Sequence, residues 1–213
     1  NIYMFYKIRI TFLTIIMVFQ VHLSGNLIED GVLSKSQTIN VCLVYQPFLG
    51  VVENIEDIDI KSERFEITDN DVLLLDGDVD IDFPDGILKA NTAKLDRNNG
   101  LVQFKRNGSL FLENYFFRSK QGSFNKDEQS IELYEGQAFL NDRNLILNFE
   151  KLSGNLKNKI LLDQVSMTSC ADTKNGWEFI AESIELDDKS KRGYARNVKI
   201  KAFDRTIASL PFV

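Results

Sequence analysis

Residues 72–83 decide the fold class, and they read Val72-Leu73-Leu74-Leu75-Asp76-Gly77-Asp78-Val79-Asp80-Ile81-Asp82-Phe83. Apolar side chains on one face alternate with aspartates on the other. Because successive side chains of a β-strand point to opposite faces, this pattern predicts a strand with one dry face and one solvated face.

The same pattern returns twice along the chain, at residues 102–112 and 131–140. Each stretch alternates, meets a glycine and continues to alternate. Gly77, Gly108 and Gly136 are 31 and 28 positions apart, a loose repeat of the length found in stacked repeat architectures. Glycine inside a strand pattern marks a bulge or a sharp bend, so these glycines are predicted to bend strands rather than to contact a ligand.

Clusters of turn-forming residues separate the alternating stretches, as in Pro84-Asp85-Gly86 and Arg97-Asn98-Asn99-Gly100. The chain has only three prolines, and no Ser/Gly-rich linker follows residue 50. We therefore expect an all-β body, an antiparallel β-jellyroll or open, bent sandwich with an apolar groove, over residues 51–200. Residues 26–50 are less regular and are predicted to form an extended lead-in.

The N-terminus predicts export. Lys7 and Arg9 precede an apolar run over residues 10–19, which is shorter than the roughly 20 residues that a membrane span needs. Residues 1–25 are therefore predicted to be a signal peptide. In an oxidising compartment Cys42 and Cys170 are expected to form disulfides, and the residues alone leave open whether they pair with each other.

Composition excludes several kinds of function. A net charge of −6 and a pI near 5.0, without clustered Lys or Arg, argue against a nucleic-acid partner. The only histidine, His22, falls at the end of the predicted signal peptide, which removes histidine-based catalysis and metal sites. Asp76, Asp78, Asp80 and Asp82 could bind Ca²⁺ or act as an acid–base pair, but a solvated strand face explains them more simply. No cofactor is expected, and 16 phenylalanines against one tryptophan favour a lipid over a sugar as ligand.

The C-terminal third resembles the LptD family of lipopolysaccharide-assembly proteins. The motifs that carry the resemblance are Val165-Ser166-Met167-Thr168-Ser169-Cys170, a tryptophan strand over 177–187, Gly193-Tyr194-Ala195-Arg196-Asn197-Val198 and Leu210-Pro211-Phe212. The glycine-centred repeats upstream are similar to the OstA-like fold that this family shares with its periplasmic relatives LptA and LptC. Together the resemblance covers residues 40–213.

The resemblance implies a lipid conduit and not an enzyme. In the family, the N-terminal jellyroll docks edge to edge with an LptA-like bridge, and lipopolysaccharide passes along an apolar groove to an outer-membrane β-barrel. The barrel binds an LptE-like lipoprotein. Residues 201–213 would begin the transition to a barrel that this chain lacks, and the jellyroll would lie on the periplasmic side of the outer membrane. The family also implies that Cys42, matched by position, and Cys170, matched by motif, bond to cysteines near the far end of the barrel.

The inward residues of the alternating stretches are predicted to line the groove. They are Leu73, Leu75, Val79, Ile81, Phe83, Leu88, Val102, Phe104, Leu110, Leu112, Leu145, Leu147 and Phe149. Two alternatives stay open: a free-standing LptA- or LptC-like bridge, and an exported jelly-roll carbohydrate-active enzyme that uses paired carboxylates.

Overall fold

The computed structural model describes residues 58–213 except 69, 85, 113–114, 141–143, 188 and 191. The predicted signal peptide and lead-in, as well as Cys42, lie outside the described residues. Within them the chain forms β1 (Asp59–Lys61), β2 (Arg64–Ile67), β3 (Val72–Phe83), β4 (Gly86–Asp96), β5 (Leu101–Leu112), β6 (Tyr115–Asn125), β7 (Ser130–Leu140), β8 (Leu145–Asn155), β9 (Lys159–Thr168), β10 (Trp177–Asp187), β11 (Arg192–Ala202) and β12 (Arg205–Phe212). One 3-10 helix, Thr173–Asn175, precedes β10. Over the described ranges, no helix has the length and apolar character to cross a membrane.

The strands form one antiparallel sheet in which β3 to β12 follow one another in chain order. The short strands β1 and β2 both pair with β3, β1 through Lys61↔Asp80 and β2 through Ile67↔Leu73. One edge of the sheet is therefore β1 with β2, and the opposite edge is β12. The predicted all-β, open and antiparallel architecture is confirmed.

Five alternate strands carry a residue in the left-handed backbone region at the same level of the sheet. These residues are Asp78, Asn107, Glu135, Gln164 and Asn197, with φ between 41° and 70°. They are 29, 28, 29 and 33 positions apart, so the repeat seen in the sequence extends to the last long strand. A left-handed residue interrupts the extended strand, and we call this row of bends the crease.

The crease divides the sheet into two layers. Layer A comprises 72–76, 92–96, 101–105, 121–125, 130–134, 151–155, 159–163, 183–187 and 192–196, and layer B comprises 79–83, 86–90, 108–112, 115–119, 136–140, 145–149, 165–168, 177–181 and 198–202. The layers face each other, since Phe83 of layer B stacks on Phe124 of layer A with ring centroids 5.5 Å apart. Apolar residues of both layers form one core cluster, and we call the space between the layers the interior.

The crease changes which positions point inward. In β7 the buried residues are Ile131 and Leu133 before the crease and Ala138 after it, so odd positions give way to even ones. β3 has two left-handed residues, Gly77 and Asp78, and its inward positions stay odd on both sides. Strict alternation therefore predicts the inward residues along the whole of β3. In β7 it predicts them correctly only up to the bend.

The three glycines singled out in the sequence all lie at the crease, in two different roles. Gly77 itself takes a left-handed conformation, with φ of +79°, which confirms its predicted bend. At Gly136 the preceding Glu135 makes the bend, and the glycine leaves room, because a Cβ there would lie 2.4 Å from the carbonyl oxygen of Arg118.

The substitution Gly77→Ala tests whether a side chain at this left-handed position destabilises the protein. We expect Gly77→Ala to lower the free energy of unfolding by about 1–2 kcal/mol, because an L-residue pays that cost in the left-handed region. Urea unfolding followed by circular dichroism measures it. Gly193→Ala is the control, since Gly193 lies in an exposed part of β11 and an added Cβ would come no closer than 3.1 Å to the Leu186 side chain. Equal losses in both variants would contradict a bend-specific role.

Candidate functional site

The interior is lined almost entirely by apolar side chains. Of the predicted groove residues, all but one are buried with at most 8% of their surface exposed: Leu73, Leu75, Val79, Ile81, Phe83, Leu88, Val102, Phe104, Leu110, Leu112, Leu147 and Phe149. Leu145 is half-buried and packs against the same cluster. The structure thus brings these residues together on one surface, and lipid contact with them remains a prediction.

Further inward residues were not singled out in the sequence. They include Ala90, Ala93, Leu95, Phe117, Phe124, Ile131, Leu133, Ala138, Leu152, Leu162, Val165, Ala181, Ile184, Ala195 and Val198. A signal for some of them was present: the residue after each left-handed position points inward, as at Val165 after Gln164 and Val198 after Asn197. Neither of those bends contains a glycine, so the repeat was not visible there.

The side of the interior opposite the crease is closed near the first long strands and more open near the last ones. Near β3 to β6 the ends of the two layers meet through the Phe83–Phe124 stack. Near β10 to β12 the inward side chains Phe179, Leu186 and Ile200 are only partly buried against the core. Apolar surface therefore becomes accessible towards the β12 edge.

A cavity of about 550 Å³ lies between β1 and the turns that follow β4 and β6. Its apolar lining comes from Ile58 and Ile60 on one side and from Leu73 and Leu95 on the other; Arg97, Gly100 and Lys126 complete it. Both cations have nearby acidic partners, Arg97 with Asp71 at 3.2 Å and Lys126 with Asp127 at 2.6 Å. The cavity therefore has apolar walls and charged side chains at its rim.

The inward face of layer A continues from β3 onto the short edge strand β2. Phe65 pairs with Leu75 and Ile67 pairs with Leu73, so both extend the inward face. They are 70% and 55% exposed, in contrast to their buried partners. An apolar surface in this position lacks the cover that the rest of the interior has.

Ionisable groups with shifted pKa values lie on the outer faces and turns. Burial raises the pKa of Asp82, helped by the nearby Asp80, and the ammonium of Lys151 lowers the pKa of Glu132. Lys89 donates a hydrogen bond to Asp80 at 2.6 Å. In the described ranges, no group of three or more His, Cys, Asp or Glu side chains is arranged to hold a metal ion. The chemistry available in the interior is apolar contact.

Hydrogen bonds join the Thr-Ser-Cys motif to the tryptophan strand. Thr168 Oγ1 donates to the carbonyl oxygen of Trp177 at 2.6 Å and accepts from the backbone N–H of Cys170 at 3.0 Å. Trp177 Nε1 donates to Ser169 Oγ at 3.0 Å. Cys170 is 2% exposed and disulfide-bonded. The motif therefore fixes the position of this cysteine at the end of β9.

These features define a class of protein: an open, bent antiparallel sheet whose interior offers apolar surface. Comparison with known proteins makes the class specific. The chain is 25% identical over 173 residues to the LPS-assembly protein LptD of Shewanella sp. strain ANA-3, covering 80% of this chain and 22% of that protein. It is also 25% identical over 179 residues to LptD of Idiomarina loihiensis, covering 80% and 23%.

The resemblance to LptD predicted from the C-terminal motifs is thus confirmed, and the chain spans about a fifth of the length of the curated relatives it matches. Among solved structures it is similar to LptH, described as the LptA homologous periplasmic component of the lipopolysaccharide transport device of Pseudomonas aeruginosa. That match has 14% identity and a TM-score of 0.28, and it covers 76% of this chain and 97% of LptH. No family model matches the chain.

Replacing Asp82 tests whether its ionised carboxylate destabilises the folded protein, as its raised pKa predicts. Its raised pKa means that the folded protein holds the proton to higher pH than the unfolded chain does. This group therefore lowers stability as the pH rises through its folded pKa. We expect Asp82→Asn to unfold at higher urea concentration than the parent at pH 7, and the difference to vanish below the ordinary carboxyl pKa.

The control for charge removal is Glu150→Gln, at an exposed position of β8. It corrects for the change in net charge. Lower stability of Asp82→Asn at pH 7 would mean that Lys61, 4.0 Å away, stabilises the carboxylate by more than burial penalises it.

Proposed function

We propose that this chain is the periplasmic conduit of an LptD-like protein and transports lipopolysaccharide for assembly in the outer membrane. The observation that carries the proposal is the continuous apolar interior, which is uncovered at both edges of the sheet. The similarity to LptD over most of the chain supports it. The chain would be exported by the signal peptide predicted at residues 1–25 and act on the periplasmic side of the outer membrane.

The physical task explains the apolar interior. Each CH₂ group of an acyl chain that leaves water gains about 0.8 kcal/mol, so a twelve-carbon chain left in water costs on the order of 10 kcal/mol. Transport across an aqueous compartment therefore needs continuous apolar cover. The two layers supply such cover, with the crease as the closed side.

Acyl chains would enter by parting the layers on the side away from the crease. The Phe83–Phe124 stack closes that side at one end, and it is a non-covalent contact. Lipid can replace such side-chain contacts at little net cost, because both are apolar. The predicted groove residues would then contact acyl chains while the lipid's polar part stays outside.

The β1/β2 edge is proposed to receive an LptA-like bridge. An edge strand presents unpaired backbone groups that a strand of another protein can extend. Phe65 and Ile67 are exposed on the inward face there, so a docked partner of the same fold would continue the apolar surface. The opposite edge, β12, would lead towards the barrel of the full protein, through which an LptE-like lipoprotein would bind.

The proposed function involves no catalysis. Asp80 is engaged by Lys89, and the outer aspartates are separated from the interior by the sheet itself. A carbohydrate-active enzyme would need a carboxylate pair beside a cleft, which these positions do not form. A free-standing bridge is disfavoured because the matching relatives are LptD proteins.

Photo-crosslinking tests the conduit directly. We expect a photoreactive amino acid at Phe179 or Phe104 to capture labelled lipopolysaccharide, because both side chains face the interior. The outward neighbours Glu178 and Gln103 are the matched controls and should capture little. Capture is read on gels with antibodies against lipopolysaccharide, and equal labelling at inward and outward sites would overturn the proposal.

Edge substitutions test docking separately from lipid binding. We expect Phe65→Asp with Ile67→Asp to reduce co-purification of a purified LptA-like bridge at least tenfold, because two charges would be buried at the contact. Ile207→Asp, on the exposed opposite edge, should leave it unchanged. Equal effects at both edges would contradict the assignment of the receiving edge.

A further inference from the structure

Positive charge is concentrated in the last hairpin of the sheet. Residues 189–213 contain seven Lys and Arg against one Asp, whereas residues 1–188 contain 18 Lys and Arg against 30 Asp and Glu. The acidic net charge of the whole chain therefore does not describe this part of it, which includes β11 and β12. The prediction from composition that Lys and Arg are not clustered is wrong here.

Several of these cations lie on the outer face of β11. Arg196 follows the buried Ala195, and Lys199 follows the buried Val198. Because successive side chains of a strand point to opposite faces, Arg196 and Lys199 point away from the interior. Both are exposed, and so is Arg192 at the start of the same strand.

The nearby acidic side chains do not neutralise this face. Glu185 forms an ion pair with Lys159 at 2.8 Å, and Glu178 lies 3.6 Å from Lys201. The cations of the hairpin that form no ion pair with any described residue are Arg192, Arg196, Lys199 and Arg205. The outer face of the hairpin therefore keeps a net positive charge.

Exposed apolar side chains lie among these cations. Tyr194 is two positions before Arg196 and points the same way, and Phe212 pairs directly with Arg196 and so projects from the same face. Phe203 lies in the turn between the two strands, and Ile207 lies on β12. Each of these four side chains is more than half exposed. We call the four apolar side chains and the four cations without an ion pair the terminal patch.

Protection of the sheet edge does not explain the terminal patch. Charged side chains on an edge strand discourage pairing with other chains. Here the edge strand β12 carries one cation, Arg205, while four Lys and Arg lie on β11, one strand further in. Exposed apolar side chains beside them favour association rather than prevent it. The combination therefore indicates a surface that meets a partner.

The partner that fits both components is an anionic lipid bilayer. Phospholipid headgroups offer negative charge to clustered Lys and Arg. Aromatic and aliphatic side chains next to such a cluster enter the boundary between the headgroups and the acyl chains. A soluble polyanion would neutralise the cations but would leave an aliphatic side chain such as Ile207 in water.

We propose that the terminal patch binds the surface of a membrane that contains anionic phospholipids. The contact holds the β12 edge of the sheet at the bilayer. Under the proposed function this is the edge that leads towards the barrel, so the patch would orient the interior relative to the membrane that it serves. The inference goes beyond the proposed function, since bilayer binding does not depend on which ligand the interior carries.

Vesicle flotation with the whole chain tests the proposal. The probes are vesicles of phosphatidylcholine alone and vesicles in which about one third of the lipid is phosphatidylglycerol. Because the apolar residues 10–19 are present in every sample, the readout is the difference between the two kinds of vesicle. We expect Arg196→Glu with Lys199→Glu to lower binding to the anionic vesicles about tenfold or more and to leave binding to the neutral ones unchanged.

The matched control is Lys94→Glu with Lys105→Glu. It makes the same change in net charge at two exposed positions on the outer face of layer A. It should change binding to the anionic vesicles by less than about twofold, because charges far from the contact are screened by salt. Equal losses in the two double variants, or equal binding of the parent to both kinds of vesicle, would overturn the proposal.

A third double variant distinguishes a bilayer from a soluble polyanion. Phe203→Ser with Ile207→Ser removes apolar area and no charge, so we expect several-fold weaker binding to the anionic vesicles and unchanged retention on heparin. Unchanged vesicle binding would assign the terminal patch to a polyanion and reject the bilayer. The far-UV circular dichroism spectrum of every variant should match that of the parent, since all the substituted side chains are exposed.

Discussion

The structure depends on one backbone constraint, the row of left-handed residues that crosses the sheet. Each such residue costs about 1–2 kcal/mol relative to extended backbone when it carries a side chain. The chain accepts this cost on five strands because each bend brings two apolar half-strands face to face. Without the crease the sheet would be a single layer with one apolar face open to water. Bending converts that face into an interior.

The side chains at the crease follow from its geometry. At the outside of a bend neighbouring side chains spread apart into solvent, and Glu135, Gln164 and Asn197 are all exposed there. Lys120 forms an ion pair with Glu135, and Asn197 donates a hydrogen bond to Glu182. Immediately inside the bend the following residues are small or β-branched, as at Gly136 and Val165. Each of these bends therefore has a polar side chain on its outer side and a small or β-branched residue on its inner side.

Much of the fold could be predicted from the sequence because β3 alternates without interruption. Its two consecutive left-handed residues keep the inward positions in phase, and the inward residues Leu73 to Phe83 were identified on both sides of the bend. Strands with a single left-handed residue change phase, so a constant alternation misses inward residues such as Ala138. The bends at Gln164 and Asn197 were missed because neither contains a glycine. The outward aromatic residues were not recognised, since alternation alone assigns phenylalanine to the core.

The chain-order arrangement of the strands has a consequence for how the apolar interior can change in length. Each long strand of the sheet is hydrogen-bonded to strands adjacent in sequence, and each bend recurs after about one hairpin. Inserting or deleting one hairpin of this period lengthens or shortens the channel by two strand spacings, roughly 10 Å, and leaves its cross-section unchanged. The length of the apolar interior and its width are therefore set by separate properties of the chain: the length by the number of hairpins, the width by the residues at the bend.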